Sequence, residues 1–284
     1  MGRTIRTRAR ARIATLFVAT AAVVVCATQL VAHDLFLKPE AFFVQPNGAV
    51  LVHVLNGTFT TSEGGVARDR LRDLSVASPS GVTHPDTSSW QASEKSSAWR
   101  IPVGAPGTYV LGASVRPRTL RLEAKDFNAY LREDGIPEVL ERRRSRGELD
   151  RPAWERYSKH VKSLVQVGDL RSGADVVGTA FGHPAELVPL DNPYALARGG
   201  VLRVRALVDG APVPGQLVLA GGQTTAGKRI PERGVRTDQQ GVARVPLHQQ
   251  GVWYVKFIRM QPVTQAGDSV DYESKWATLT FAVR

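Results

Sequence analysis

From His33 onward the chain alternates apolar and polar residues in runs too short for helices, and each run stops at a Gly, Pro or Asn turn. That rhythm admits few folds other than stacked antiparallel sheets. In AVLVHVLNGTF the residues Leu51, Val52, Val54 and Leu55 lead into Asn56-Gly57, and APGTYVLGASV is a turn followed by a strand. The 26 Gly and 17 Pro are spread along the whole length, as turns between many short strands require. Residues 33–120 therefore read as a β-sandwich. The grammar returns over 199–284 in VLRVRALVDGAPVPGQLVLA and KWATLTFAVR, with Asp209-Gly210 and Pro214-Gly215 as tight turns. RIPVGAPGTYVLGAS and RVPLHQQGVWYVKFI echo one another, which predicts two related modules.

Between them, residues 121–167 carry dense mixed charge with apolar residues at helical spacing. Phe127, Tyr130 and Leu131 form one set, and Trp154, Tyr157, Val161 and Leu164 another. The spacing predicts a short helical insert of two helices, with breaks at Gly135-Ile136-Pro137 and around 147–152. The run Arg142-Arg143-Arg144 with Arg146 alternates with acids and reads as a solvated helix face. Residues 168–198 read as a linker packing on the N-terminal module.

Residues 1–32 have the form of a secretory signal. Five arginines and no acid occupy the first twelve positions, and IATLFVATAAVVVCATQLVA follows. An uncleaved membrane anchor is the alternative for a stretch of that length, but the small-residue ends at Ala27 and Ala32 favour cleavage. Loss of this segment takes the net charge from +11 to +6 over the remaining 252 residues. A nucleic-acid partner is then excluded as the meaning of the basic balance. The lone Cys26 leaves with the signal, so the mature chain needs no disulfide and suits a periplasmic or secreted location.

HExxH, GxSxG, Walker and GxGxxG patterns are absent, so no standard catalytic signature marks an enzyme. Cleavage after Ala32 makes His33 the first residue, whose free α-amine and imidazole chelate one metal ion together. A second imidazole across the fold would complete a three-nitrogen site suited to Cu(II) or Ni(II). His160, in ERYSKHVKSL on the second predicted helix, ranks first for that role. His53, in the strand VLVHVL, ranks second, with an ordinary sheet residue as the alternative. Asp34 could orient the His33 ring. His84, His183 and His248 read as surface residues.

The start AHDLFLKP, the strand VLNGTF with SEGGVARDRL, ERYSKHVKSLVQVG, GHPAELVPLDNPYAL and the ending GVWYVKFIRM…DYESKWATLTFAVR together resemble a secreted family of unsettled function. That family is commonly described as periplasmic components of nickel or cobalt uptake systems. The resemblance covers 33–284. It implies immunoglobulin-like or transthyretin-like sandwich architecture, a family histidine at the position of His33, and nickel or cobalt as cargo, with copper as a further candidate. The partner it implies is a membrane transporter or an outer-membrane receptor, the chain itself not being integral to the membrane. A non-metal envelope-binding module of two sandwiches is the alternative function, and a copper monooxygenase the remote one.

Overall fold

The computed structural model describes residues 33–171, 174–197 and 199–284. The predicted signal 1–32 lies outside them, as do Ser172, Gly173 and Arg198. The first module contributes β1 (Asp34–Pro39), β2 (Phe43–Val44), β3 (Ala49–Gly57), β4 (Leu71–Ser78), β5 (Gly81–Thr83), β6 (Trp90–Ala92), β7 (Ser97–Pro102), β8 (Gly107–Val115) and β9 (Arg118–Leu122). Two helices follow, α1 (Ala124–Glu133) and α2 (Pro137–Ser145), then β10 (Ala153–Val167) and a single helical turn, α3 (Ala174–Val177). The remainder is β11 (Ala185–Pro189), β12 (Val201–Val208), β13 (Ala211–Pro212), β14 (Leu217–Thr224), β15 (Arg229–Arg236), β16 (Val242–Pro246), β17 (Gly251–Pro262) and β18 (Tyr272–Val283). No described helix is long and apolar enough to cross a membrane.

The fold is mainly β and sandwich-like, and its two sandwiches share one layer. A ten-stranded sheet runs β15-β14-β17-β18-β10-β8-β4-β5, with β2 and β9 also paired to β10. The sheet β1-β3-β7-β6 covers one face of it, burying Leu37, Val52, Trp99 and Ile101 against Leu74, Leu111, Val161 and Val165. The sheet of β11, β12, β13 and β16 covers the opposite face, burying Leu187, Leu202 and Val204 against Val110, Leu164, Val255 and Leu279. Alternation along each central strand separates the two cores, since Val110 belongs to one and Leu111 to the other. The echoed segments make the same crossing. Arg100 to Pro102 end an outer strand before β8 enters the shared sheet, and Arg244 to Pro246 do the same before β17.

The helical insert is shorter than its sequence suggested. Phe127, Tyr130 and Leu131 are the buried face of α1, as their spacing predicted, and Pro137 opens α2. The predicted second helix over Trp154 to Leu164 is instead β10, a central strand that runs parallel to β18 and antiparallel to β8. Both faces of β10 are covered, and Lys159, His160, Lys162 and Gln166 are buried along with the valines. Polar residues inside the sheet erase the two-residue apolar period, and a chance helical spacing remained. Within the arginine run, Arg143 also departs from the solvated reading. It is buried over the Phe127 ring and donates to Asn128 Oδ1 and to the carbonyls of Glu148 and Arg151.

Residues 168–198 carry β11, which pairs with β12, while Phe181 and His183 ahead of it reach back onto Gly112 of β8.

Candidate functional site

His33 precedes β1, on the side of the central sheet covered by the first outer sheet. Its Nε2 stands 3.4 Å from Glu63 Oε2, in the loop after β3, with Glu63 exposed and His33 half-buried. Its carbonyl accepts a bond from the buried Lys159. Asp34, expected to orient the imidazole, turns away and accepts from Lys256 Nζ at 2.6 Å. Glu63 is the carboxylate beside the ring. The SEGG segment is visible in the sequence, but the Gly57 to Ser62 bridge that folds it back onto β3, beside the start of β1, is not.

Beneath the start of β1 lies a charge network. Lys256 reaches Asp34, Asp134 and Glu232, the last two at 3.3 Å. Tyr254 donates to Glu232 at 2.8 Å. Burial, abetted by the neighbouring Asp34 and opposed by Lys256, pushes the Asp134 carboxyl up to about 7. Lys159 lies over Tyr157 and Trp276 with ring-centroid distances of 5.3 and 5.2 Å, and burial pulls its ammonium down to about 8. Glu155, also driven up by burial, accepts from Tyr130 and Ser274 through Oε1 and leaves Oε2 without a partner.

The three histidines singled out as ligands are not brought together. His53 is exposed on β3 opposite Lys38, and five residues of strand place it roughly 17 Å from His33. His160 is on β10, not a helix, and its side chain points to the face opposite Lys159 and His33. Among the described residues no three His, Cys, Asp or Glu side chains are gathered as a metal-ligating group. At His33 the described residues supply one imidazole with the Glu63 carboxylate beside it, and no closed site.

His160 has other company. Its Nδ1 is 2.8 Å from Ser114 Oγ and its Nε2 is 3.0 Å from Ser158 Oγ. The His183 ring lies 6.1 Å from it, centroid to centroid. His183, read as a surface residue, is buried, and its Nε2 is 3.0 Å from Asp73 Oδ2. His84 Nδ1 meets the other oxygen of Asp73 at 2.9 Å, and Ser75 donates to the same carboxylate. Burial drives His160 down to about 3 and lowers His183 as well. Burial works against the Asp73 carboxylate, but bonds from Ser75, His183 and His84 hold it below its ordinary range. This cluster arises from register: Asp73 lies opposite Ser114, and Gly112 opposite Ser75, on adjacent strands. No local motif announces it.

No curated protein matches the chain. Among solved structures it is similar to a tetra-tandem repeat in the extending region of a large adhesion protein, at 10% identity and a TM-score of 0.22, over 88% of this chain and 49% of that one. It is also similar to the BSP domain of a biofilm-associated protein, at 9% identity and a TM-score of 0.20, over 87% of this chain and 29% of that one. The chain thus spans half or less of the length of these structures. The model of a domain of unknown function, DUF4198, matches residues 30–261, and the chain belongs to that family.

Proposed function

We propose that this is an exported metal-binding accessory protein whose terminal His33 captures a divalent ion, Ni(II) or Co(II) with Cu(II) as the competitor, and passes it to an uptake system. The observation that supports this is the placement of Glu63 on the Nε2 side of the His33 ring. A carboxylate there favours a proton on Nε2 and leaves Nδ1, the nitrogen nearer the main chain, for the ion. After cleavage at Ala32 the α-amine would supply the second donor. The main chain at this point is held by Lys159 on the His33 carbonyl and Lys256 on Asp34.

The donors so assembled leave most of the coordination sphere open. An open sphere suits hand-over, because an acceptor adds ligands before the first ones leave. Binding requires a neutral amine, whose free pKa is about 7.7–8.0, so occupancy falls as pH drops. The resemblance to nickel and cobalt uptake components supports the choice of ion, and intrinsic affinity favours copper when it is available.

The test is intact-mass measurement of exported protein, followed by calorimetric titration with Ni(II), Co(II), Cu(II) and Zn(II). A chain beginning at His33 that binds one ion with micromolar or tighter Kd, and loses it in His33→Ala, is the expected result. Cleavage at Ala27, or no binding of any ion by a chain that begins at His33, would overturn the reading.

A further inference from the structure

We infer that His183 and His160 form a second site, on the opposite face of the central sheet from His33, that takes a single Cu(I) ion between two imidazole nitrogens. The site does not depend on the terminus or on cleavage at Ala32.

The argument begins with a lone pair. The Asp73 carboxylate, able only to accept at neutral pH, faces His183 Nε2 at 3.0 Å, so that nitrogen carries the proton. In the neutral ring Nδ1 is then bare, and it is buried with no hydrogen-bond partner. A buried acceptor left without a donor is costly. A carboxylate behind one imidazole nitrogen with the other left free is also the usual arrangement behind a metal ligand. His160 is the nearest imidazole, with ring centroids 6.1 Å apart, and an ion about 2.0–2.1 Å from one nitrogen of each ring bridges a gap of that size. His160 bonds a serine hydroxyl at each nitrogen, so it can give one to the ion while Ser114 or Ser158 holds the other.

The rest of the site is rigid. Glu186 accepts from the main-chain N–H of Phe181 at 2.8 Å and of His183 at 2.9 Å, and is itself paired to the buried Lys162. The loop carrying His183 is therefore fixed on the sheet. Two nitrogen ligands and no third carboxylate or thiolate select the ion. Imidazole suits zinc, copper and nickel, but zinc takes four ligands, whereas monovalent copper is content with two. His84, 55% exposed beside Asp73, marks the solvent side from which the ion would enter.

The test uses His33→Ala protein, which removes the terminal chelate, titrated anaerobically with Cu(I) against a chromophoric copper chelator. One equivalent bound, with X-ray absorption reporting two nitrogen neighbours, is the expected result. His183→Gln and His160→Gln should each weaken binding at least tenfold, and Asp73→Asn 10–100-fold by freeing the ring it holds. Because these variants could lose the fold, nitrogen-15 spectra of the histidine rings in His33→Ala provide a second readout. Cu(I) should move the His160 and His183 signals and leave His248 in place. No stoichiometric Cu(I), or binding that leaves those two rings unmoved, would overturn the proposal.

Discussion

Lys159 and His160 are consecutive in the chain and serve opposite sides of one sheet. Lys159 donates to the carbonyl of His33 on one side, while His160 sits between Ser114 and Ser158 on the other. The alternation of a single strand therefore separates a terminal charge network from a histidine cluster, and no ion can be shared between His33 and His160. Any metal chemistry at the two places is independent, and variants of one should leave the other intact.

The terminal network should leave a signature in the pH dependence of stability. Asp134 is held up at about 7 by burial, whereas an unfolded aspartate titrates near 3.9. Between those values the folded chain keeps a proton that the unfolded chain has released, so this group's contribution to stability falls as pH rises through the window. Asp134→Asn has no proton to lose. Relative to wild type it should gain on the order of 2 kcal/mol as pH is raised from 5 to 8. Urea unfolding at both pH values measures this, and a stability difference that ignores pH would refute it.

On the other face the buried pair of Lys162 and Glu186 invites a double-mutant cycle. Lys162→Met strands Glu186 with only main-chain donors, and should cost about 3–5 kcal/mol, as removal of one partner of a buried pair does. Adding Glu186→Gln removes the charge and keeps one of the two oxygens that accept from the Phe181 and His183 amides. The double variant should therefore be more stable than Lys162→Met alone. Chemical unfolding of the three proteins decides, and strictly additive losses would mean the charges do not interact.

These two places differ in how far the sequence shows them. The strand grammar is legible where one face is apolar and turns are marked, as at β3 before Asn56-Gly57 and β8 after Ala105-Pro106-Gly107. It fails at β10, where lysine, histidine and glutamine are buried against partners that no local window contains. Asp73 and His183 lie 110 positions apart and meet only through strand register and the return of the loop ahead of β11. His33 could be singled out because cleavage after Ala32, as the signal pattern predicts, would free its amine. Glu63 is near it only because the loop after β3 closes back on that strand.

Three adjacent arginines provide a contrast within one helix. Arg143 is 2% exposed and makes bonds of 2.5–3.0 Å to Asn128, Glu148 and Arg151 that tie α1 to the end of α2 and the turn beyond it. Arg143→Met takes the donor from Asn128 Oδ1 and from the Arg151 carbonyl, leaving the Glu148 carbonyl only the Arg151 N–H, and should cost about 2–3 kcal/mol. Arg142 and Arg144 are exposed, and either one changed to Gln should stay within about 0.5 kcal/mol of wild type. Thermal unfolding of the three variants checks the ranking. Equal effects at all three positions would restore the solvated-face reading for the whole run.

Gly112 tests how closely the His183 loop sits on the sheet. A Cβ at this position would meet Phe181 Cδ2 at 2.6 Å and His183 Cε1 at 3.2 Å, so alanine cannot enter unless the loop moves outward. Crowding of this kind costs about 1–3 kcal/mol. The displaced loop should also loosen the Glu186 bonds to the Phe181 and His183 amides. Gly112→Ala is therefore expected to lower Tm and to speed hydrogen exchange at those two amides, while the amides of β17 exchange as before once the global loss is subtracted. Unchanged protection at Phe181 and His183 would show that the loop tolerates the methyl group and is not held against β8 by this contact.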